Sequence, residues 1–187
     1  MPQSLRVQGI DPPRRAPRLG ELLCAASDVP RSAVEAALVA RGVVPIGEAL
    51  RRRGAVTGSD VARALARQAN LPLADFHEFP PDPALSRSMD PRGLLRLGML
   101  PWQRRNGRLV VAVEGPGARD YLLRQDPTLE ARLDFAVADR RVIEDQILAL
   151  HGAELARQAR DRCPAKFSCR GWTGSRPALP LAAGLSL

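Results

Sequence analysis

Lysine is almost missing from this chain: Lys166 stands alone beside 27 arginines. A phosphate-binding P-loop needs a glycine-rich turn ending in Lys followed by Ser or Thr, and Cys163-Pro164-Ala165-Lys166-Phe167-Ser168 is no such turn. ATP hydrolysis by that route is excluded, and a Schiff-base lysine is almost as poorly supported. Histidine is equally scarce. His77 and His151 are the only two, and neither has a Ser, Cys or carboxylate neighbour at a spacing that points to catalysis. His77, in Asp75-Phe76-His77-Glu78, reads as part of an exposed linker. The three cysteines, Cys24, Cys163 and Cys169, form no CxxC pair, so neither a zinc site nor a disulfide framework is expected. No enzyme, cofactor or metal is expected. Aromatic residues make up 4%, which leaves few platforms for stacking nucleic-acid bases. An uninterrupted apolar run of about 18 residues, as a membrane span needs, is also lacking. Pro2, Pro12, Pro13 and Pro17 break up the N-terminus, so no signal peptide is read and a cytoplasmic location without membrane insertion is expected.

What the chain has in excess is positive charge. The formal net charge is +8 and the pI about 11.0, which favours an anionic partner: a nucleotide, nucleic acid, lipid headgroups or an acidic protein. Arg51-Arg52-Arg53 and Arg104-Arg105 are the densest clusters, yet the arginines are spread over every segment. They read as a solvated basic face, capable of nonspecific attraction to nucleic acid and no specific recognition. With 187 residues and 45% hydrophobic content, the chain can bury one or two small cores.

The strongest feature is a repeat. Residues 18–41 and 45–68 are two copies of one helical unit: Arg18-Leu19-Gly20-Glu21-Leu22-Leu23 returns as Pro45-Ile46-Gly47-Glu48-Ala49-Leu50. The same register then aligns Val29 with Val56, Ser32 with Ser59, Val34 with Val61, Ala37 with Ala64 and Leu38 with Leu65. Such a unit needs a neighbour to cover its apolar face. Two copies predict a tandem-repeat helical bundle with a pseudo-twofold groove, suited to a ligand with two similar halves.

Around that repeat the chain divides into five stretches. Residues 1–17 are a flexible leader rich in Pro and Arg. Within 18–70, Ile46, Ala49 and Leu50 mark a short helix that stops near Gly54, and Thr57-Gly58-Ser59-Asp60 has capping-box spacing. Val61, Ala64 and Leu65 are expected to form the buried stripe of the helix that follows. Residues 71–97 form a proline-rich linker with short helices, one starting at Asp82-Pro83. Residues 98–150 form a small α+β lobe: strands Met99–Arg104 and Arg108–Val113 around the hairpin signal Asn106-Gly107, a helix near Ala118–Arg124, a strand at Leu133–Ala138 and a helix at Arg140–Leu150. Residues 151–187 are a basic tail, helical as far as Arg162 and irregular beyond. The fold class expected is therefore α+β.

A binding site can be read from the ends of the two units. Gly20 and Gly47 lie in the first turn of a helix, where a missing Cβ lets another group approach and free N–H groups favour an anion. Leu19, Leu23, Ile46 and Leu50 supply apolar surface beside them. The stripes Val34, Ala37, Leu38 and Val61, Ala64, Leu65 end on the polar residues Arg41 and Gln68, which want hydrogen-bonding partners. Together these make a seat for a planar base and a phosphate.

These residues resemble a known family, the MshEN domain found at the N-terminus of type II secretion (protein E) and type IV pilus assembly ATPases. Arg18, Leu19, Gly20, Leu23, Val29, Val34 and Leu38 match its motif in the first copy; Ile46, Gly47, Leu50, Gly54, Val56, Val61, Leu65 and Gln68 match in the second. Met99-Leu100-Pro101 and Arg108-Leu109-Val110-Val111-Ala112 extend the resemblance over roughly 18–150. The pattern departs at Ser27 (Gly expected), Arg41 (Gln expected) and Pro45 (Arg expected), and the spacer Gly42-Val43-Val44 is short. The resemblance implies a cytoplasmic regulatory domain that binds cyclic di-GMP, one guanylyl half per unit. Apolar side chains would surround the guanines, and the Arg and Gln positions would make polar contacts. It further implies a partner, either a secretion or pilus ATPase or a membrane-bound family 2 glycosyltransferase, and Cys163–Trp172 reads as a junction into a following domain.

Overall fold

The computed structural model describes residues 17–27, 29–40 and 42–162, which form a mixed α+β structure. The described residues hold eight α-helices, a 3₁₀ turn and one three-stranded sheet. Helices α1 (Leu19–Ala26), α2 (Arg31–Ala40), α3 (Ile46–Arg52) and α4 (Gly58–Ala69) enclose one apolar cluster of Leu23, Val29, Val34, Ala37, Ala49, Leu50, Val56 and Ala64. α1 packs on α4 and α2 on α3, so each unit's first helix meets the other unit's second.

Local chemistry sets the helix ends. At the start of α4, Thr57 Oγ1 accepts from the Asp60 N–H at 3.1 Å and Asp60 Oδ2 accepts from the Thr57 N–H at 2.9 Å, the reciprocal box that the spacing implies. The Thr57 hydroxyl, then its backbone N–H, holds the Asp60 carboxyl below its ordinary pKa. α4 ends on Asn70, whose left-handed conformation (φ 52°) lets its N–H reach the carbonyls of Ala66 and Arg67.

The sheet follows the expected pattern. β1 (Met99–Arg105) and β2 (Arg108–Val113) are antiparallel, and the positive φ angles of Asn106 (51°) and Gly107 (77°) make the tight turn between them. α7 (Pro116–Gln125) and a 3₁₀ turn (Pro127–Ala131) carry the chain over to β3 (Leu133–Val137), which pairs parallel to β2. The helix expected from Arg140 is one continuous α8 (Arg140–Arg162), and its Ile143 and Ile147 are fully buried in the same core as Leu100, Val111 and Phe135. Residues 163–187, with the expected irregular tail and the Cys163–Trp172 junction, and the leader up to residue 16 lie outside the described residues.

Two expectations need correction. Residues 71–97 do not bridge a gap; they pack into the second core. Pro72 O accepts from the Val137 N–H at 2.8 Å, and the Ala74 N–H donates back to Val137 O at 2.9 Å. Phe76 meets Trp102 edge-on at 5.7 Å, and Trp102 Nε1 donates to Phe79 O at 2.7 Å. Prolines are frequent there because the segment runs along a sheet edge and starts two short helices, α5 (Pro83–Ser86) and α6 (Pro91–Leu97), each capped by the Asp before its Pro. The second correction concerns α4. Its buried residues are Ala62, Ala64 and Ala66, while Val61 and Leu65 are only partly buried. Ala64 faces the helical cluster, but Ala62 and Ala66 pack on Val137 of β3, so α4 is covered from two sides.

Candidate functional site

Beside that joint the two halves leave a cleft of about 760 Å³. One wall is apolar and comes from the helical units: Leu19 of α1, Pro45 and Gly47 at the start of α3, and Val61, Ala62 and Leu65 of α4. The opposite wall is the turn 114–118 entering α7 and residues 138–141 entering α8. Close packing holds it in place: a Cβ on Gly115 would lie 3.2 Å from Leu65 Cδ1. Gly58, the first residue of α4, meets the second half still more tightly. A Cβ there would fall 1.7 Å from Asp139 Oδ2, and Asp139 Oδ1 accepts from the Arg141 N–H at 2.9 Å to cap α8.

The predicted site residues divide into three groups. Leu19, Gly47, Val61 and Leu65 come together in the cleft. Leu23 and Leu50 are fully buried and Val34 nearly so, all in the helical core, and Ile46 packs against that core. Gly20, Arg18, Leu38 and Gln68 lie away from the cleft lining: Arg18 is exposed at the α1 N-cap and Leu38 is half exposed. The Gln68 side chain has a partner, since Nε2 donates to Pro17 O at 3.0 Å and ties the end of α4 to the approach of α1. Arg41 lies outside the described residues. The two glycines show their purpose directly. A Cβ on Gly20 would come 2.8 Å from Val34 Cγ1, and one on Gly47 would come 2.8 Å from Val61 Cγ1. The space at each is taken by the valine of its own unit, and the same contact recurs at the aligned positions. Leu19 Cδ2 lies 3.6 Å from that Cβ position on Gly47, so the first turns of the two units meet.

The cleft also gathers charge. Arg51 donates from Nε to Glu48 Oε2 at 2.8 Å and from Nη2 to Oε1 at 3.0 Å, and Arg52 Nε donates to Oε1 at 2.8 Å. The hydrogen bond from Arg52, with that from Arg51, holds the Glu48 carboxyl below its ordinary pKa. Across the cleft Arg140 bridges Glu114 (2.7 Å) and Glu144 (2.7 Å) and donates to Leu95 O at 3.1 Å. The two carboxylates, Glu114 first, raise its pKa. Only folding brings residues 114–118 and 139–141 to α3, and no local pattern marks them. The Arg51-Arg52 pair was visible as charge, and Glu48 stands three and four residues before it, the spacing of neighbours on one helical face, a local signal that the repeat overshadowed.

Elsewhere the fold pairs Ser86 Oγ with His151 Nε2 at 2.9 Å, which the spacing had not indicated. Ser86 is fully buried, so no substrate reaches its hydroxyl and the pair holds α5 to α8. Among the described residues no cluster of His, Cys, Asp or Glu could hold a metal, and no helix is long and apolar enough to cross a membrane.

Comparison with known proteins gives the same direction. The family model of the MshEN domain matches residues 69–157. A structure of MshE with cdg, cyclic di-GMP, is similar at 25% identity and a TM-score of 0.58, covering 72% of this chain and 99% of that one. The N-terminal domain of XpsE shares the fold at 24% identity and a TM-score of 0.54, covering 70% and 91%. No curated protein matches the chain.

Proposed function

We propose, from the premise that this chain carries an MshEN domain, that it is a regulatory domain whose inter-lobe cleft binds cyclic di-GMP. The observation that carries the reading is the cleft itself: Leu19, Gly47, Val61 and Leu65 converge on one apolar wall, with arginines at its rim. Its volume falls in the range of small-ligand sites, roughly 300–1,000 Å³. The matching Gly–Val contacts and the meeting of the two first turns support a pseudo-twofold pair of helical units. In this reading the apolar wall seats guanine faces. The ligand extends past the cleft lining to Arg18, which adjoins Leu19, and to Gln68, which exchanges its bond to Pro17 O for one to the ligand. The contact from Arg41 rests on the resemblance alone. Because the second lobe forms the far wall, ligand there fixes one lobe against the other, and that is the signal passed on. The partner we propose, on the resemblance alone, is a secretion or pilus ATPase or a membrane glycosyltransferase.

Calorimetry with cyclic di-GMP on the purified full chain tests this. Binding is expected, with Arg18→Ala and Gln68→Ala each weakening it several-fold, on the order of one hydrogen bond to a charged or polar ligand. Arg124→Ala, at the far end of α7, should leave it unchanged. No heat at tens of micromolar protein and ligand, with the fold intact, would leave only a ligand-free adaptor of the same fold.

A further inference from the structure

The two helical units carry a glutamate at the same aligned position and use it differently. Glu21 Oε2 accepts from the Arg18 N–H at 2.9 Å and so helps to cap α1. Its counterpart Glu48 sits three residues after Pro45, which has no N–H to offer. Relieved of capping, Glu48 is gripped by Arg51 through two hydrogen bonds and by Arg52 through a third. The first unit has nothing similar, because Cys24 and Ala25 stand at the aligned positions. Glu48, Arg51 and Arg52 all line the cleft, and Pro45 lines it where the family motif has an arginine.

We propose that Arg51 is the phosphate-binding cation of the second half-site, and that Glu48 is an internal stand-in for the ligand's anion. This rests on the reading of the cleft as a nucleotide site. A guanidinium fork that grips a carboxylate with two parallel bonds presents the geometry that the two nonbridging oxygens of a phosphodiester require. Glu48 keeps Arg51 in place in the ligand-free protein, so less side-chain order has to be created on binding. The Arg51 side chain is 26% exposed and that of Arg52 is 65% exposed. Arg51 is therefore the better-held cation, and Arg52 is free to follow Glu48 outward when phosphate takes its place. The charge removed by Pro45 at the head of α3 is in this way restored further along the same helix.

The test is calorimetric titration of cyclic di-GMP into the full chain and its variants, with thermal melts followed by circular dichroism to verify folding. Arg51→Ala should weaken binding about tenfold or more, the loss of a charge-assisted bidentate contact. Arg51→Lys should fall between, since it keeps the charge and loses the fork. Glu48→Gln should tighten binding, because the amide oxygen still accepts from Arg51 and keeps it in place while the charge that competes with phosphate is gone. If the wild type binds and a folded Arg51→Ala binds equally well, the Arg51 assignment is overturned while the cleft reading stands. If Arg51→Ala fails to fold, unchanged or weaker binding by Glu48→Gln overturns the assignment. A wild type that gives no heat overturns both.

Discussion

The first and second helical units share a frame and differ in what covers them. Leu23 and Leu50 occupy aligned positions and are both fully buried; Gly20 and Gly47 each meet the valine of their own unit at the same 2.8 Å. Yet the outer face of α4 is roofed by β3 and the turn into α7, while on α2 Leu38 and Val39 stand exposed. The two stretches of similar sequence therefore share a core but not a cleft. Apart from Leu19 of α1, the helical wall of the cleft comes from the second unit, which has most of the second lobe across from it. The lesson is that similar sequence fixes similar internal packing, whereas a cleft follows the neighbour that each unit meets.

Substitutions at aligned positions can break or sharpen this comparison. Leu23→Ala and Leu50→Ala should produce the largest and most similar losses, about 2–5 kcal/mol each, because both empty the same shared core. Chemical denaturation reads both values; a large inequality would mean that the cores are not equivalent. Gly20→Ala and Gly47→Ala come next, each about 1–3 kcal/mol from overpacking against valine. Only Gly47→Ala should also weaken cyclic di-GMP binding, since Gly47 alone lines the cleft. Gly58→Ala should cost about 1 kcal/mol, roughly the worth of the α8 cap, by pushing Asp139 aside. Its aligned partner Arg31→Ala should cost little, because Arg31 is exposed and its pair with Glu35 lies at the surface.

The smallest effect concerns pH. The Glu48 and Asp60 carboxyls, both in the second unit, have folded pKa values below their ordinary ones. Groups shifted in that direction contribute stability that is present above the unfolded pKa and lost as pH falls through the folded pKa. The melting temperature should drop on acidification below the ordinary carboxylate range. The drop should shrink in Glu48→Gln, which removes one of those two groups.

Much of this architecture was legible locally. Asn106-Gly107 announced its turn because both residues tolerate positive φ, and Thr57 with Asp60 announced a helix start because the box uses only adjacent groups. What failed was the reading of α4. Periodicity marks large apolar side chains, so Val61 and Leu65 drew attention, while Ala62 and Ala66, which the sheet covers, carry too little apolar surface to stand out. Proline misled in 71–97 for a similar reason: it reports backbone restriction, and Phe76 and Leu94 in the core had no period to counter it. Of the cleft, Leu19, Gly47, Val61 and Leu65 on one wall are residues that the repeat had singled out. The other wall depends on tertiary placement. The grip of Arg51 and Arg52 on Glu48, by contrast, is local to α3, at the i,i+3 and i,i+4 spacing of one helical face. The absence of an N–H at Pro45 was a further signal that Glu48 needed another partner.

Hydrogen exchange of the full chain, measured with and without cyclic di-GMP, tests the central claim most directly. The account expects added protection on both walls together, in 45–52 and 58–66 of the helical units and in 114–118 and 139–144 of the second lobe, with α2 left nearly unchanged. Protection that is absent, or that is confined to α2, would contradict it.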